Sequence, residues 1–173
     1  MKKLLIASAV TMLASLSGLA SAATATATFT VSLTIKTGCT VTATNIAPAP
    51  VDASTVADVT GSNTISVTCT KGTPYNIGLQ STQANSKTDG TGTMVAQNVG
   101  TTGNTDSIPY ALYQDSGLTK AWGNVAANTL AGTVSTNGTS ATNYNAYMKV
   151  LGADITNRTA DKYQDTIQVN VNY

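Results

Sequence analysis

From residue 23 to residue 35, every odd position is apolar and every even position is Thr or Ser. The apolar series runs Ala23, Ala25, Ala27, Phe29, Val31, Leu33, Ile35. An extended chain points successive side chains to opposite faces, so strict alternation marks a β-strand with one face to bury. A helix would scatter the same residues around its circumference. Strands are usually about five or six residues long, so an alternation of thirteen asks for an unusually long burial surface. The side chains grow from alanine to Phe29, Val31, Leu33 and Ile35, which puts shallow contacts at one end and deep ones at the other. Two readings stay open: the first strand of this chain's own domain, or a strand whose apolar face is buried on another molecule.

The rest of the chain is written in the same alphabet. Thr, Ala, Asn, Val, Ser and Gly dominate and Glu is absent, which disfavours long helices. β-branched residues favour strands, and clusters of Asn, Gly, Ser and Asp favour turns. We expect strands over 39–46, 63–70, 75–80, 94–99, 108–114, 130–135, 144–151 and 163–173. Residues 51–62 and 81–92 read as connecting loops, the second with an Asp89-Gly90 turn, and Asn137-Gly138 reads as a hairpin turn. Short strands separated by turn signals predict an all-β sandwich with Greek-key connections.

Ahead of the alternating run, Lys2 and Lys3 precede an apolar stretch over 4–20 and the small-x-small site Ala20-Ser21-Ala22. This is the pattern of a signal peptide, residues 1–22, cleaved after Ala22. No later stretch is apolar enough for stable membrane insertion. Beyond residue 22, seven cations face eight Asp, a formal net charge of −1. A near-neutral chain with so few cations lacks the electrostatic footprint of a nucleic-acid binder. Two cysteines, Cys39 and Cys69, allow one intramolecular pairing. Export favours its oxidation, and closing such a loop stabilises a fold by roughly 3–4 kcal/mol in the chain-entropy model. A buried pair of free thiols is the alternative.

Four motifs in order resemble one known family. They are Thr37-Gly38-Cys39-Thr40-Val41; Ile65-Ser66-Val67-Thr68-Cys69; Tyr110-Ala111-Leu112-Tyr113-Gln114-Asp115 followed by Trp122-Gly123; and the run from Tyr163-Gln164-Asp165 to Val171-Asn172-Tyr173. Together they resemble the spore coat protein U domain, found also in Csu-type pilins of archaic chaperone–usher pili. The resemblance implies an incomplete immunoglobulin-like β-sandwich over 37–173, completed by a donated N-terminal strand, residues 23–36, of a neighbouring copy. Phe29, Val31, Leu33 and Ile35 would be the donor side chains. Ile167, Val169, Val171 and Tyr173 would form the acceptor groove and chaperone contact. The implied partners are copies of the chain and other pilus subunits, a periplasmic chaperone and an outer-membrane usher. The implied setting is the cell surface, reached through the periplasm, with a role in adhesion and biofilm formation.

Nothing in the sequence points to catalysis or to a cofactor. Without His or Glu, the commonest general base and Glu-based carboxylate pairs are missing. No phosphate-binding loop or nucleophile elbow is present, and two cysteines with no histidine cannot make a tetrahedral zinc site. Asp165, within the terminal motif, reads as a turn residue. Trp122, Tyr110, Tyr113 and Tyr144 read as packing residues in preference to sugar platforms. A tip adhesin or carbohydrate-binding sandwich, and an amyloid-like secreted matrix protein, are the competing functions.

Overall fold

A computed structural model describes residues 23–54, 57–83, 87–100 and 102–173. The expected signal peptide lies outside the described residues. The chain divides into two units at Thr34/Ile35. In the first, residues 23–34 belong to no helix and to no paired strand. The alternation is present, but a strand is defined by a partner, and the lone chain supplies none there.

Among the described residues, the second unit contains all the strands: β1 Cys39–Ala43, β2 Val59–Cys69, β3 Asn76–Ser81, β4 Thr91–Ala96, β5 Ser107–Tyr113, β6 Leu130–Ala131, β7 Thr142–Val150, β8 Tyr163–Gln164 and β9 Ile167–Asn172, with one helical turn α1 at Gly152–Ile155. They form two antiparallel sheets, one ordered β1-β2-β7-β5-β4-β8 and the other β6-β3-β9. This is the expected all-β, immunoglobulin-like sandwich. Its core lies between the inward faces, with Ile65, Val67, Ile77, Leu79, Tyr110, Leu112, Trp122, Ala146 and Met148 all buried. Outward positions of β2 and β7 carry Thr, Ser and Asn that bond across the strands, as in Ser66 Oγ–H to Asn143 Oδ1 at 2.7 Å.

Trp122 is the packing centre. It is fully buried, and its indole N–H donates to the Ile77 carbonyl at 2.9 Å. Its own segment stitches the two sheets together. The Trp122 N–H bonds the Leu112 carbonyl, and the Leu79 N–H bonds the Gly123 carbonyl. One seam of the sandwich is thus closed by backbone hydrogen bonds from a loop.

Several boundaries differ from the sequence expectation, each for a tertiary reason. β2 begins at Val59, within the expected loop, because residues 59–62 find partners in Val150, Lys149, Met148 and Tyr147 of β7. β4 begins at Thr91, since Gly92 can lie beneath the Tyr110 hydroxyl only by having no Cβ. It ends at Ala96, and Asn98 turns with φ 55°. β6 stops at Ala131, where Gly132 is pressed on the Tyr75 ring and its N–H is taken by the Tyr75 carbonyl at 2.8 Å. Asn137-Gly138 does make a turn, with Gly138 at φ 68°, yet it joins no hairpin, because β6 and β7 belong to different sheets. The terminal run over 163–173 is two strands rather than one. β8 pairs β4 in the larger sheet, the chain crosses at Asp165-Thr166, and β9 pairs β3 in the smaller one.

Removing the central ring should unravel this arrangement. Trp122→Ala is expected to destabilise the fold by about 3–5 kcal/mol, read as a lowered midpoint of denaturant unfolding with an unchanged slope. A change below about 1 kcal/mol would show that the seam is held by its backbone bonds alone.

Candidate functional site: a one-sided seam between β1 and β9

The second seam differs from the one that Trp122 closes. Among the described residues, β1 pairs only with β2, and β9 only with β3. These two terminal strands approach each other across the sandwich, with one edge of each left without a ladder partner. β9 shows what is missing. Val169 pairs with Leu79, and Val171 with Ile77. The β3 residues are buried at 2% and 0% exposure, whereas Ile167, Val169 and Val171 are only half-buried, although they pack against the same core. An inward residue is covered less where its strand has no neighbour on one side. The difference lies on the free side of β9, where no strand of the described residues covers the core.

The opposite lip is built mostly from backbone. Cys39 is half-buried and Thr40–Ala43 are exposed, so β1 gains little from burial. Its hold comes from the ladder to β2 and from the disulfide Cys39–Cys69, which joins directly paired residues at the end of the strand. The expected pairing of the two cysteines is therefore present. Gly38 and Thr70 extend the contact, with Thr70 N–H donating to the Gly38 carbonyl at 2.9 Å and Gly38 N–H to Thr70 Oγ1 at 3.1 Å.

The expected donor residues present their side chains to solvent, with Phe29 88%, Val31 84%, Leu33 88% and Ile35 78% exposed. Tyr173 lies beyond β9 and is 60% exposed. The aromatic residues are committed elsewhere. Trp122 and Tyr110 are buried. Tyr144 accepts the Thr133 N–H at 2.7 Å and shares a 2.8 Å hydrogen bond with the Tyr75 hydroxyl. Burial first, and then that Tyr144 hydroxyl, push the Tyr75 phenol up to about 12. Tyr113 lines a shallow cleft of about 290 Å³ with Lys87, Lys149 and Asp154. Among the described residues, no cluster of three or more His, Cys, Asp or Glu could hold a metal.

The carboxylates fasten loops. Several are held below the ordinary Asp value of 3.8: Asp58 by the Lys149 ammonium, Asp89 by the Thr91 hydroxyl, Asp106 by the Thr159 N–H and Asp115 by the Lys120 N–H. Asp161 is also lowered. Burial opposes the shift there, but the N–H groups of Val99 and Lys162 outweigh it. Asp165 is the residue that sequence reasoning undervalued. Besides ordering the turn at Thr166, its carboxylate accepts the hydroxyls of Ser81 and Tyr110, at 2.7 and 2.6 Å. The available signal was a lone carboxylate inside an otherwise alternating terminal run.

A family model described as the Spore Coat Protein U domain matches residues 25–170. The chain belongs to the Spore Coat Protein U domain family. Its sandwich is similar to a chain in the crystal structure of the CsuC–CsuE chaperone–tip adhesion subunit pre-assembly complex from archaic chaperone–usher Csu pili of Acinetobacter baumannii. That similarity has a TM-score of 0.54 and 21% identity, covering 81% of this chain and 41% of that one. The Spore Coat Protein U chain thus spans about two-fifths of the length of the solved chain, and at this identity the similarity establishes the fold. No curated protein matches the sequence significantly.

Two predictions follow from the way the lips and loops are held. Replacing Cys39 and Cys69 together by Ser should lower stability by about 3–4 kcal/mol and raise amide hydrogen exchange over β1 before it rises over β7. Equal loosening of both strands would mean that the disulfide supports the whole sheet. Depressed carboxylates stabilise the fold at pH values above their ordinary 3.8, and that contribution is lost as pH falls through their lowered values. Acidification below about pH 4 should therefore loosen the loops over 97–106 and 114–121 while β2 and β7 stay protected. Loop exchange that is flat from pH 6 to pH 2, after correction for intrinsic rates, would contradict this.

Proposed function

We propose that this chain is a structural subunit of a chaperone–usher surface pilus that polymerises by donor-strand complementation. Residues 23–36 of one copy lie along the free edge of β9 in the next, and Phe29, Val31, Leu33 and Ile35 cover Ile167, Val169 and Val171. The observation that carries the reading is the match of two deficits. The chain has an alternating segment with exposed apolar side chains and no ladder. It also has a core strand that is paired on one side and covered by half.

Energetics explain why both deficits are needed. Each inserted Val, Leu, Ile or Phe contributes about 1.5–3 kcal/mol. Ordering each donor residue costs about 1–2 kcal/mol of backbone entropy, and only every second residue is apolar. Side-chain burial alone does not drive insertion. The remainder comes from main-chain hydrogen bonds along the free edges, which an unpaired strand lacks. On this reading, a periplasmic chaperone occupies the seam first and an outer-membrane usher exchanges it for a donor strand. The signal peptide is removed after Ala22, and the fibre supports adhesion and biofilm formation. The fold shared with a chain of a chaperone–subunit complex supports this placement.

Deleting residues 23–35, or substituting Leu33→Asp, should abolish polymer while leaving a folded, chaperone-bound subunit, scored by electron microscopy of surface fibres and by co-purification from periplasm. Loss of the folded subunit itself would mean that the segment is an ordinary strand of its own domain.

A further inference from the structure

Asp165 stands where the chain leaves the larger sheet for the smaller one. β8 pairs β4 on one side of it, and β9 pairs β3 on the other. One carboxylate oxygen accepts the Ser81 hydroxyl at 2.7 Å and the Tyr110 hydroxyl at 2.6 Å, and the other accepts the Thr166 N–H at 2.6 Å. Both hydroxyl donors are buried. Ser81 ends β3 and Tyr110 lies on β5, so the three bonds join both sheets and the crossing segment at one point.

The position of that point matters. Ser81 is the register partner of Ile167, the first pair of the β3–β9 ladder at this end, and fixing it fixes Leu79 opposite Val169 and Ile77 opposite Val171. Thr82 continues the clamp, with its N–H and hydroxyl both donating to the Thr166 carbonyl, at 2.9 and 3.0 Å. Tyr110 has little room to shift, because Gly92 leaves its hydroxyl no more than a Cβ's width. Burial, and then the Asp165 carboxylate, push the Tyr110 phenol well above its ordinary range, which keeps it a donor. β9 needs such a clamp more than its neighbours do. It has a single ladder and half-covered inward side chains, and a slip of one residue would turn Ile167, Val169 and Val171 outward.

We propose that Asp165, through Ser81 and Tyr110, is the positioning residue that holds β9 in register before a donor strand arrives. The inference deepens the reading of β9 as the acceptor strand and rests on it. Once a donor pairs with the free edge, a second ladder fixes the same register and the clamp becomes redundant. Asp165 therefore governs entry of the donor strand more than its retention.

The test uses the full chain with its disulfide closed, comparing wild type, Asp165→Asn and Tyr110→Phe. Amide exchange over 167–172 should rise about tenfold in Asp165→Asn, the scale of one lost charge-assisted hydrogen bond, with β2 and β7 unchanged. Stopped-flow capture of a labelled peptide of residues 23–36 should show an association rate about tenfold lower and a dissociation rate within about twofold of wild type. Tyr110→Phe removes one hydroxyl, keeps the ring and should show a smaller effect of the same kind. It carries the test if Asp165→Asn does not fold. Unchanged exchange over β9, or an effect confined to dissociation, overturns the proposal. If the wild-type chain captures no peptide, the acceptor reading fails, while exchange over β9 still decides whether Asp165 positions that strand.

Discussion

A β-strand paired on one side leaves alternate N–H and C=O groups without a ladder partner, and an inward residue at such an edge stays wet on its open flank. β9 is in this state, and much of the rest of the chain can be understood from it. The opposite seam of the sandwich needs no partner, because the segment from Trp122 to Asn128 bonds to both sheets. The contrast between the seams marks the candidate site.

The two lips of the open seam are held by different means. β1 contributes almost no buried side chain, so a covalent link at its first residue and the ladder to β2 keep it in place. β9 contributes inward side chains but lacks cover, and a clamp of short hydrogen bonds at Asp165 fixes its first pair. Both devices sit at strand ends, where they set register without occupying the length a partner would use. The division is economical. A covalent bond suits an edge with nothing to bury, whereas a polar clamp suits an edge whose apolar face is only half covered.

Much of this was legible in the sequence. The two cysteines identified the link that the structure shows between Cys39 and Cys69, and the β class followed from Thr, Val, Asn and Gly usage. Strand ends were read less well. Gly92 and Gly132 set the limits of β4 and β6 through contacts with Tyr110 and Tyr75, residues remote from them in sequence. Asp165 read as a turn residue because local pattern carries no information about Ser81 and Tyr110, whose hydroxyls reach it from two different sheets.

By itself, the sequence determined the periodicities: which residues share a face, which segments extend, and which cysteines can pair. These depend on neighbours within a few residues, so they survive without a fold. Only the tertiary structure decided which strands are neighbours, that the terminal run changes sheets at Asp165, and that β1 and β9 each keep one edge open. Pairing joins residues about 80 positions apart, as Ser66 and Asn143 show. Which edge lacks a partner is fixed only when every other strand has found its own.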